Sequence, residues 1–297
     1  MMFLAAVILF CSYGNSGENR NYERPLFRVG VDTVFLRVSV TDPQNRNVIG
    51  LGRDDFEVYE NKVRQEILAF VQEPSPVSIG ILLDNSGSMK NNNNAQAARE
   101  ALKSFLARVN PGDEFFLIAF NQEVVLVRDF TDNADDILTE GLLSRPRGQT
   151  ALWDAVYRGL DMMKEAKNEK KALILITDGE DNSSRYTSME VREFAKESDA
   201  QIYAIGEPGE LGYGSARIRE VVQLTGGRAF FPENLNALDY YIDLIHAELR
   251  NQYVLGYVPT RKENDGKWRK IQVKLDQQKG LPKLLVRTRE GYYPPKN

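Results

Sequence analysis

The chain contains one cysteine, Cys11, and one histidine, His246, in 297 residues. Cys11 sits in the apolar stretch MFLAAVILFC at residues 2–11, so cleavage beyond that stretch leaves a chain with no disulfide to stabilise it. His246 lies in a helical stretch with no obvious partner, which leaves Ser-His-Asp chemistry unsupported. No G-x-x-x-x-G-K-[S/T] loop occurs, and P-loop nucleotide hydrolysis is excluded by motif. Blocks of lysine and arginine are also missing, and the net charge is −4, which argues against a nucleic-acid binder. No segment after residue 11 is long and apolar enough for a transmembrane helix, and residues 2–11 are too short for one. There is no internal repeat.

With 42% hydrophobic and 27% charged residues, the composition is that of a folded chain of about two domains. Residues 1–19 read as a secretory signal peptide: an apolar core, then the small polar stretch Ser12 to Gly17 for cleavage. No lysine or arginine precedes the core, so its positive end rests on the α-amino group. Large Phe10 stands where a lipoprotein pattern at Cys11 wants a small residue. The expected location is therefore secreted, periplasmic or in the cell envelope.

Residues 28–40, RVGVDTVFLRVSV, alternate with period two as a half-buried strand does. Short strands are expected at Val48–Leu51, 54–61 and 67–71. Glu73-Pro74-Ser75-Pro76 then forms a stiff, polar boundary. Beyond it strands and helices alternate, the signature of a parallel α/β sheet. The spacing predicts strands at 77–84, 114–120, 123–130, 172–177, 201–206 and 228–231. Helices are expected over 95–109, 134–143, from Thr150 onward, and over 188–198, 215–224 and 234–250. Only two residues separate 114–120 from 123–130, which makes that pair an antiparallel hairpin at a sheet edge. From Gln252 the pattern returns to strands, at 253–257, 269–275 and 283–288, with Asn264-Asp265-Gly266 as a hairpin turn between the first two. Neither end can bury a core alone. The expected fold is thus a doubly wound, mostly parallel, Rossmann-like α/β sheet over 75–250, inserted in a small all-β sandwich made of 20–74 plus 251–297.

The stretch VSIGILLDNSGSM, Val77 to Met89, reads as a buried strand delivering a polar loop to its carboxyl end. Its D-x-S-x-S spacing puts Asp84, Ser86 and Ser88 in one short turn. Taken alone, that is either ordinary turn chemistry or a set of hard oxygen donors suited to Mg²⁺ or Mn²⁺ and poorly suited to zinc. A second apolar strand, ALILIT, also ends in an aspartate, Asp178. In doubly wound sheets ligands bind where the strand order reverses. Neighbouring strands there would set Asp84 opposite Asp178, and two nearby carboxylates repel unless a cation lies between them. Ser86, Ser88 and a loop threonine such as Thr150 complete an oxygen shell.

Asp84-x-Ser86-x-Ser88, Thr150 and Thr177-Asp178-Gly179 resemble the metal-ion-dependent adhesion site of the von Willebrand factor type A domain over about 77–250. The resemblance implies direct coordination of Mg²⁺ (or Mn²⁺) by Ser86, Ser88 and Thr150. It further implies binding by Asp84 and Asp178 mainly through water, and an open position for an Asp or Glu of a protein partner. The layout also resembles a bacterial, acidobacterial-type subgroup, through Gly52 to Tyr59, Gln252 to Val258 and Gly291-Tyr292. Gln149 departs from the pattern, since many members have glycine before the threonine.

Each residue also has a plainer reading. Thr150 can be a helix N-cap and Asp154 a favourable first-turn charge with a supporting hydrogen bond toward the site. Asp181 reads as a solvated loop residue, and Tyr253, Tyr257, Tyr292 and Tyr293 as sandwich core or rim. An Asp84 aspartyl-phosphate nucleophile lacks the second acid two positions later, where Ser86 stands. The expected function is therefore metal-dependent protein binding or adhesion outside the cytoplasm, not catalysis. The alternatives are a Mg²⁺-dependent hydrolase or phosphatase and an envelope scaffold with a purely structural metal.

Overall fold

The computed structural model describes residues 33–294 apart from residues 73, 91, 144–145, 207–212, 233, 263–264 and 277–282. The expected signal peptide, the first residues of the 28–40 strand and Asn264 of the expected turn lie outside the described residues.

The chain opens with four strands, β1 (Val34–Thr41), β2 (Phe56–Glu60), β3 (Val63–Gln65) and β4 (Ile67–Val71). Inward residues of β1 and β2, among them Leu36, Val38 and Val58, are fully buried, as their period-two patterning requires. Val48–Leu51 is not a strand; a single bridge at Asn47 joins this region to β1. The Asp42 carboxylate accepts from Gln44 N and Arg46 N, each at 2.9 Å, and turns the chain sharply. Beyond the turn, the Tyr253 hydroxyl donates to Val48 O (2.9 Å) and accepts from Leu51 N (3.2 Å). A side chain there takes the place of a neighbouring strand.

The central sheet follows: β5 (Val77–Asp84), β6 (Glu114–Phe120), β7 (Val124–Thr131), β8 (Lys170–Ile176), β9 (Gln201–Ile205) and β10 (Ala229–Phe230), in the order β10-β9-β8-β5-β6-β7. Every pair is parallel except β6 with β7, an antiparallel edge hairpin as expected. All eight residues of β5 are buried, because helices cover both faces. Helices α1 (Asn92–Leu106), α2 (Ala134–Leu143) and α6 (Leu238–Arg250) pack on one face. The other face carries α3 (Leu152–Met162), α4 (Ser188–Ala195) and α5 (Tyr213–Leu224). Chain order reverses between β5 and β8, and that seam positions the site described below.

The chain then returns to the first four strands as β11 (Tyr253–Tyr257), β12 (Arg269–Leu275), β13 (Leu285–Arg287) and β14 (Gly291–Tyr292). Two antiparallel sheets result, β13-β1-β11-β4 and β14-β12-β2-β3, sharing one apolar core. Both chain ends thus build the sandwich. The expected hairpin between 253–257 and 269–275 is not formed. β11 is already paired on both edges, by β1 and β4, so β12 joins the opposite sheet beside β2. Buried Glu60 ties the two layers together: its carboxylate accepts from Tyr257 and Tyr292 hydroxyls, both at 2.8 Å, and from Arg269 Nη1 at 3.1 Å. Tyr253, Tyr257 and Tyr292 are core, as read from the sequence. Tyr293 is half-buried and reaches Glu193 of α4.

Polar groups dock the sandwich on the central layer. Glu248 of α6, 1% exposed, meets Arg287 Nη2 at 2.9 Å, Arg228 Nη1 at 3.5 Å and the Tyr203 hydroxyl at 3.3 Å. Arg37 of β1 donates to the carbonyls of Glu169 and Asp199. Entry and exit of the inserted segment are pinned by one fully buried carboxylate. Asp113 accepts from Val77 N (2.9 Å) and Asn110 N (2.8 Å), and takes both Nη groups of Arg250 at the end of α6. Removing the cation leaves that carboxylate buried and unpaired. Arg250→Ala is therefore expected to lower stability by about 3–5 kcal/mol. Urea unfolding checks it, and a loss typical of exposed pairs, below about 1 kcal/mol, would contradict the account.

One turn away, the His246 imidazole stacks on Phe105 of α1 with ring centroids 4.3 Å apart, its Nε2 3.0 Å from Phe105 O. Burial, and then the nearby Arg250 charge, push its pKa down to about 4. Native His246 stays neutral while the unfolded chain takes up a proton near its ordinary value of about 6.5. Its contribution is fully present above that pH and is lost as pH falls toward 4. His246→Leu is expected to remove on the order of 3 kcal/mol of the acid-side decline in unfolding free energy. Parallel urea titrations at pH 7 and pH 4.5 measure the difference, and an equal fall in unfolding free energy in both proteins would refute it.

Candidate metal centre

β5 and β8 end side by side. Their last paired residues are Leu83 and Ile176, so Asp84 and Thr177 come next to each other at the seam. The Thr177 hydroxyl donates to Asp84 Oδ2 at 2.6 Å and accepts from Gly179 N at 3.1 Å. The other Asp84 oxygen, Oδ1, accepts from Ser86 N at 2.9 Å and starts the turn that follows the strand. That turn brings Ser86 Oγ within 2.8 Å of Ser88 Oγ. Asp84 and Ser86 are buried, Ser88 is exposed, and Asp178 is half-buried.

Thr150 belongs to a second loop, and backbone contacts stitch it to the first. Arg147 N donates to Asn85 O (2.9 Å), and Gly87 N donates to Gly148 O (2.8 Å). Gly148 has φ +74°, which favours glycine, and a Cβ on Gly87 would fall 2.8 Å from the Gly148 carbonyl oxygen. A third loop, after β8, grips Thr150 from the other side. Asn182 Oδ1 accepts from Thr150 N at 2.8 Å, while Asn182 N and Ser183 N each donate to Thr150 O at 3.0 Å. The three loops carrying Asp84, Ser86, Ser88, Thr150 and Asp178 are thereby joined at the carboxyl end of the sheet. Gln149 is exposed.

The N-cap reading of Thr150 does not hold. The position before α3 is Ala151, without a side-chain cap. Capping comes instead from the loop after β8: Asp181 Oδ1 accepts from Leu152 N (3.0 Å), and Ser184 Oγ accepts from Trp153 N (2.9 Å). Asp181 is thus a cap, not merely a solvated loop residue. Asp154 lies in the first turn of α3 as expected, but its Oδ1 accepts from Arg185 N and Tyr186 N, at 2.9 Å each, in the loop after β8. Sequence reasoning passed over Asn182 altogether and used Thr177 only as part of a motif. For Thr177 there was a signal, a polar residue closing an apolar strand. For Asn182 there was none, because its partner lies 32 positions away.

Electrostatics mark the seam. Burial, and then the negative charge of Asp178, raise the Asp84 pKa to about 6, outweighing the hydrogen bonds from Thr177 and Ser86. A cation between the carboxylates would remove the second cause and offset the first. The donors at hand are two carboxylates and three hydroxyls, all hard oxygen. Among the described residues no three His, Cys, Asp or Glu side chains gather as a metal cluster, so this centre relies on hydroxyls beside its two carboxylates. The donor chemistry fits Mg²⁺ or Mn²⁺, whose shells are filled by oxygen and water.

Residues 79–180 match the family model of the von Willebrand factor type A domain. The inter-alpha-trypsin inhibitor heavy chain H4 of Bos taurus is 24% identical over 186 residues, which is 56% of this chain. The match covers 20% of the bovine protein, so this chain spans about a fifth of that relative's length. Among solved structures, a von Willebrand factor type A protein from Catenulispora acidiphila aligns with TM-score 0.52 and 13% identity, over 87% of this chain and 73% of that one. Proximal thread matrix protein 1 of the mussel byssus, solved with a zinc-occupied adhesion-site motif, aligns with TM-score 0.50 and 20% identity, over 66% and 50%. The family model thus places a von Willebrand factor type A domain at residues 79–180, and the sheet order with its reversed β5–β8 seam is the fold shared with the solved neighbour.

Proposed function

We propose that the chain is a metal-dependent protein-binding or adhesion module acting outside the cytoplasm. In this reading residues 75–250 form the binding domain, and 20–74 with 251–297 form its accessory sandwich. Ser86, Ser88 and Thr150 supply hydroxyl ligands, and Asp84 and Asp178 hold the cation's charge, mainly through water. The resident ion is Mg²⁺ or Mn²⁺; when bound, it offers an open coordination position to an Asp or Glu of the partner. The observation that carries the reading is buried Asp84, held at the β5–β8 seam by Thr177, whose next residue is Asp178, so that two carboxylates meet where folding alone gives no reason to retain them. A catalytic reading finds less support. The sole histidine, on α6, is packed against Phe105 of α1, and among the described residues no histidine stands beside the two carboxylates to act as a base.

Three outcomes are expected. Partner capture by the immobilised chain is lost in EDTA, restored by Mg²⁺ or Mn²⁺, and abolished by Asp84→Ala or Ser86→Ala; capture indifferent to chelation would sink the proposal. Asp178→Asn, which relieves the repulsion, is at least as heat-stable as wild type in EDTA but gains nothing from added Mg²⁺. Wild type, in contrast, gains several degrees in Tm once the ion exceeds its Kd a hundredfold, since about 2.7 kcal/mol of linkage is then available. Turnover of a generic phosphomonoester with Mg²⁺ by the wild-type chain would instead favour a phosphatase.

A further inference from the structure

Thr150 sits two residues before the first residue of α3, beyond the reach of the helix's own hydrogen bonds. The intervening Ala151 has φ −102° and ψ 62°, neither helical nor extended. The sheet does not hold Thr150 either, since it belongs to no strand. Its backbone is fixed by Asn182 and its neighbour: Oδ1 takes the Thr150 N–H, and the N–H groups of Asn182 and Ser183 take the Thr150 carbonyl. Asn182 lies four positions after Asp178 in the same loop. The start of that loop is set by Gly179 N on Thr177 Oγ1 and by Glu180 N on Asp178 Oδ1 (3.2 Å). One short stretch therefore carries Asp178 at one end and the grip on Thr150 at the other.

We propose that Asn182 is a positioning residue that holds the Thr150 hydroxyl in register with Asp178 before any cation arrives. This rests on the reading of the site as a metal centre. The physical reason is local. Without the Oδ1 acceptor the buried Thr150 N–H loses its partner, and only the two backbone bonds to the Thr150 carbonyl remain to fix the threonine relative to Asp178. Residues that orient metal ligands change affinity about 10–100-fold when lost. Ser184 offers a neutral control in the same loop, because it caps α3 through Trp153 N without touching Thr150.

The test is a Mn²⁺ titration of the full chain, followed by electron paramagnetic resonance of the free ion, with thermal melts in EDTA alongside. Asn182→Ala is expected to weaken Mn²⁺ binding about tenfold or more at a temperature where it remains folded. Ser184→Ala should lower the apo Tm while keeping affinity within about twofold of wild type. Asn182→Asp, which keeps an acceptor for the Thr150 N–H, should bind Mn²⁺ at least as well as wild type and serves if the alanine variant does not fold. Wild-type affinity in folded Asn182→Ala, an equal loss in Ser184→Ala, or lost binding in folded Asn182→Asp would each overturn the proposal. A wild-type chain that binds no Mn²⁺ would instead refute the metal centre itself, so the two failures are distinguishable.

Discussion

The hydrogen bond from Thr177 to Asp84 joins the ends of the two central strands at the seam where the sheet reverses its order. It brings a buried carboxylate from β5 against the loop that carries a second one from β8. Everything nearby follows from that contact. One Asp84 oxygen is held by Thr177 and the other by the Ser86 amide, so the carboxylate cannot rotate away from its neighbour. The electrostatic cost is visible in the raised pKa of Asp84. Such costs cluster at functional sites, and this carboxylate lies at the end of the sheet where doubly wound folds place their ligands.

The same organisation explains why the sandwich comes from both ends of the chain. A parallel sheet needs helices on both faces and leaves its entry and exit at the base, opposite the site. Asp113 and Arg250 clamp those two points, while Arg287 of the sandwich meets Glu248 of α6 and Arg228 of the central layer reaches Asn45 of the sandwich. Charged groups are buried on both sides of this contact, with partners on the opposite layer. Paired in this way, they hold one register between the layers, since any slip would strand a buried charge.

Much of the α/β layer was legible in the sequence, because fully buried strands are continuous apolar runs and their polar ends are abrupt. Val77–Asp84 and the strand ending before Asp178 announced themselves in that way, and so did the edge hairpin, whose connection is three residues long where two were expected. The sandwich was less legible. The short strands at Val63–Gln65 and Gly291–Tyr292 are too brief to show a period. The pairing of β12 with β2 depends on which edges are already occupied, information that no local pattern carries. At the site, the ligand-type residues stood out by spacing, whereas their supports did not. In the sequence Thr150 reads as a ligand, with a helix cap as the plainer alternative because threonine is a common residue before a helix. Asp181 and Ser184 took that role across the sheet end, by contacts about 30 positions apart in the chain.

The central claim is that Asp84, Ser86, Ser88, Thr150 and Asp178 surround one divalent cation. Crystals of the full chain grown with Mn²⁺ and measured at the manganese absorption edge test it most directly. The account predicts a single strong anomalous peak among those five residues, bonded to the Ser86, Ser88 and Thr150 hydroxyls. A well-ordered site with no peak there, or manganese bound elsewhere with the Asp84–Asp178 seam unoccupied, would contradict it.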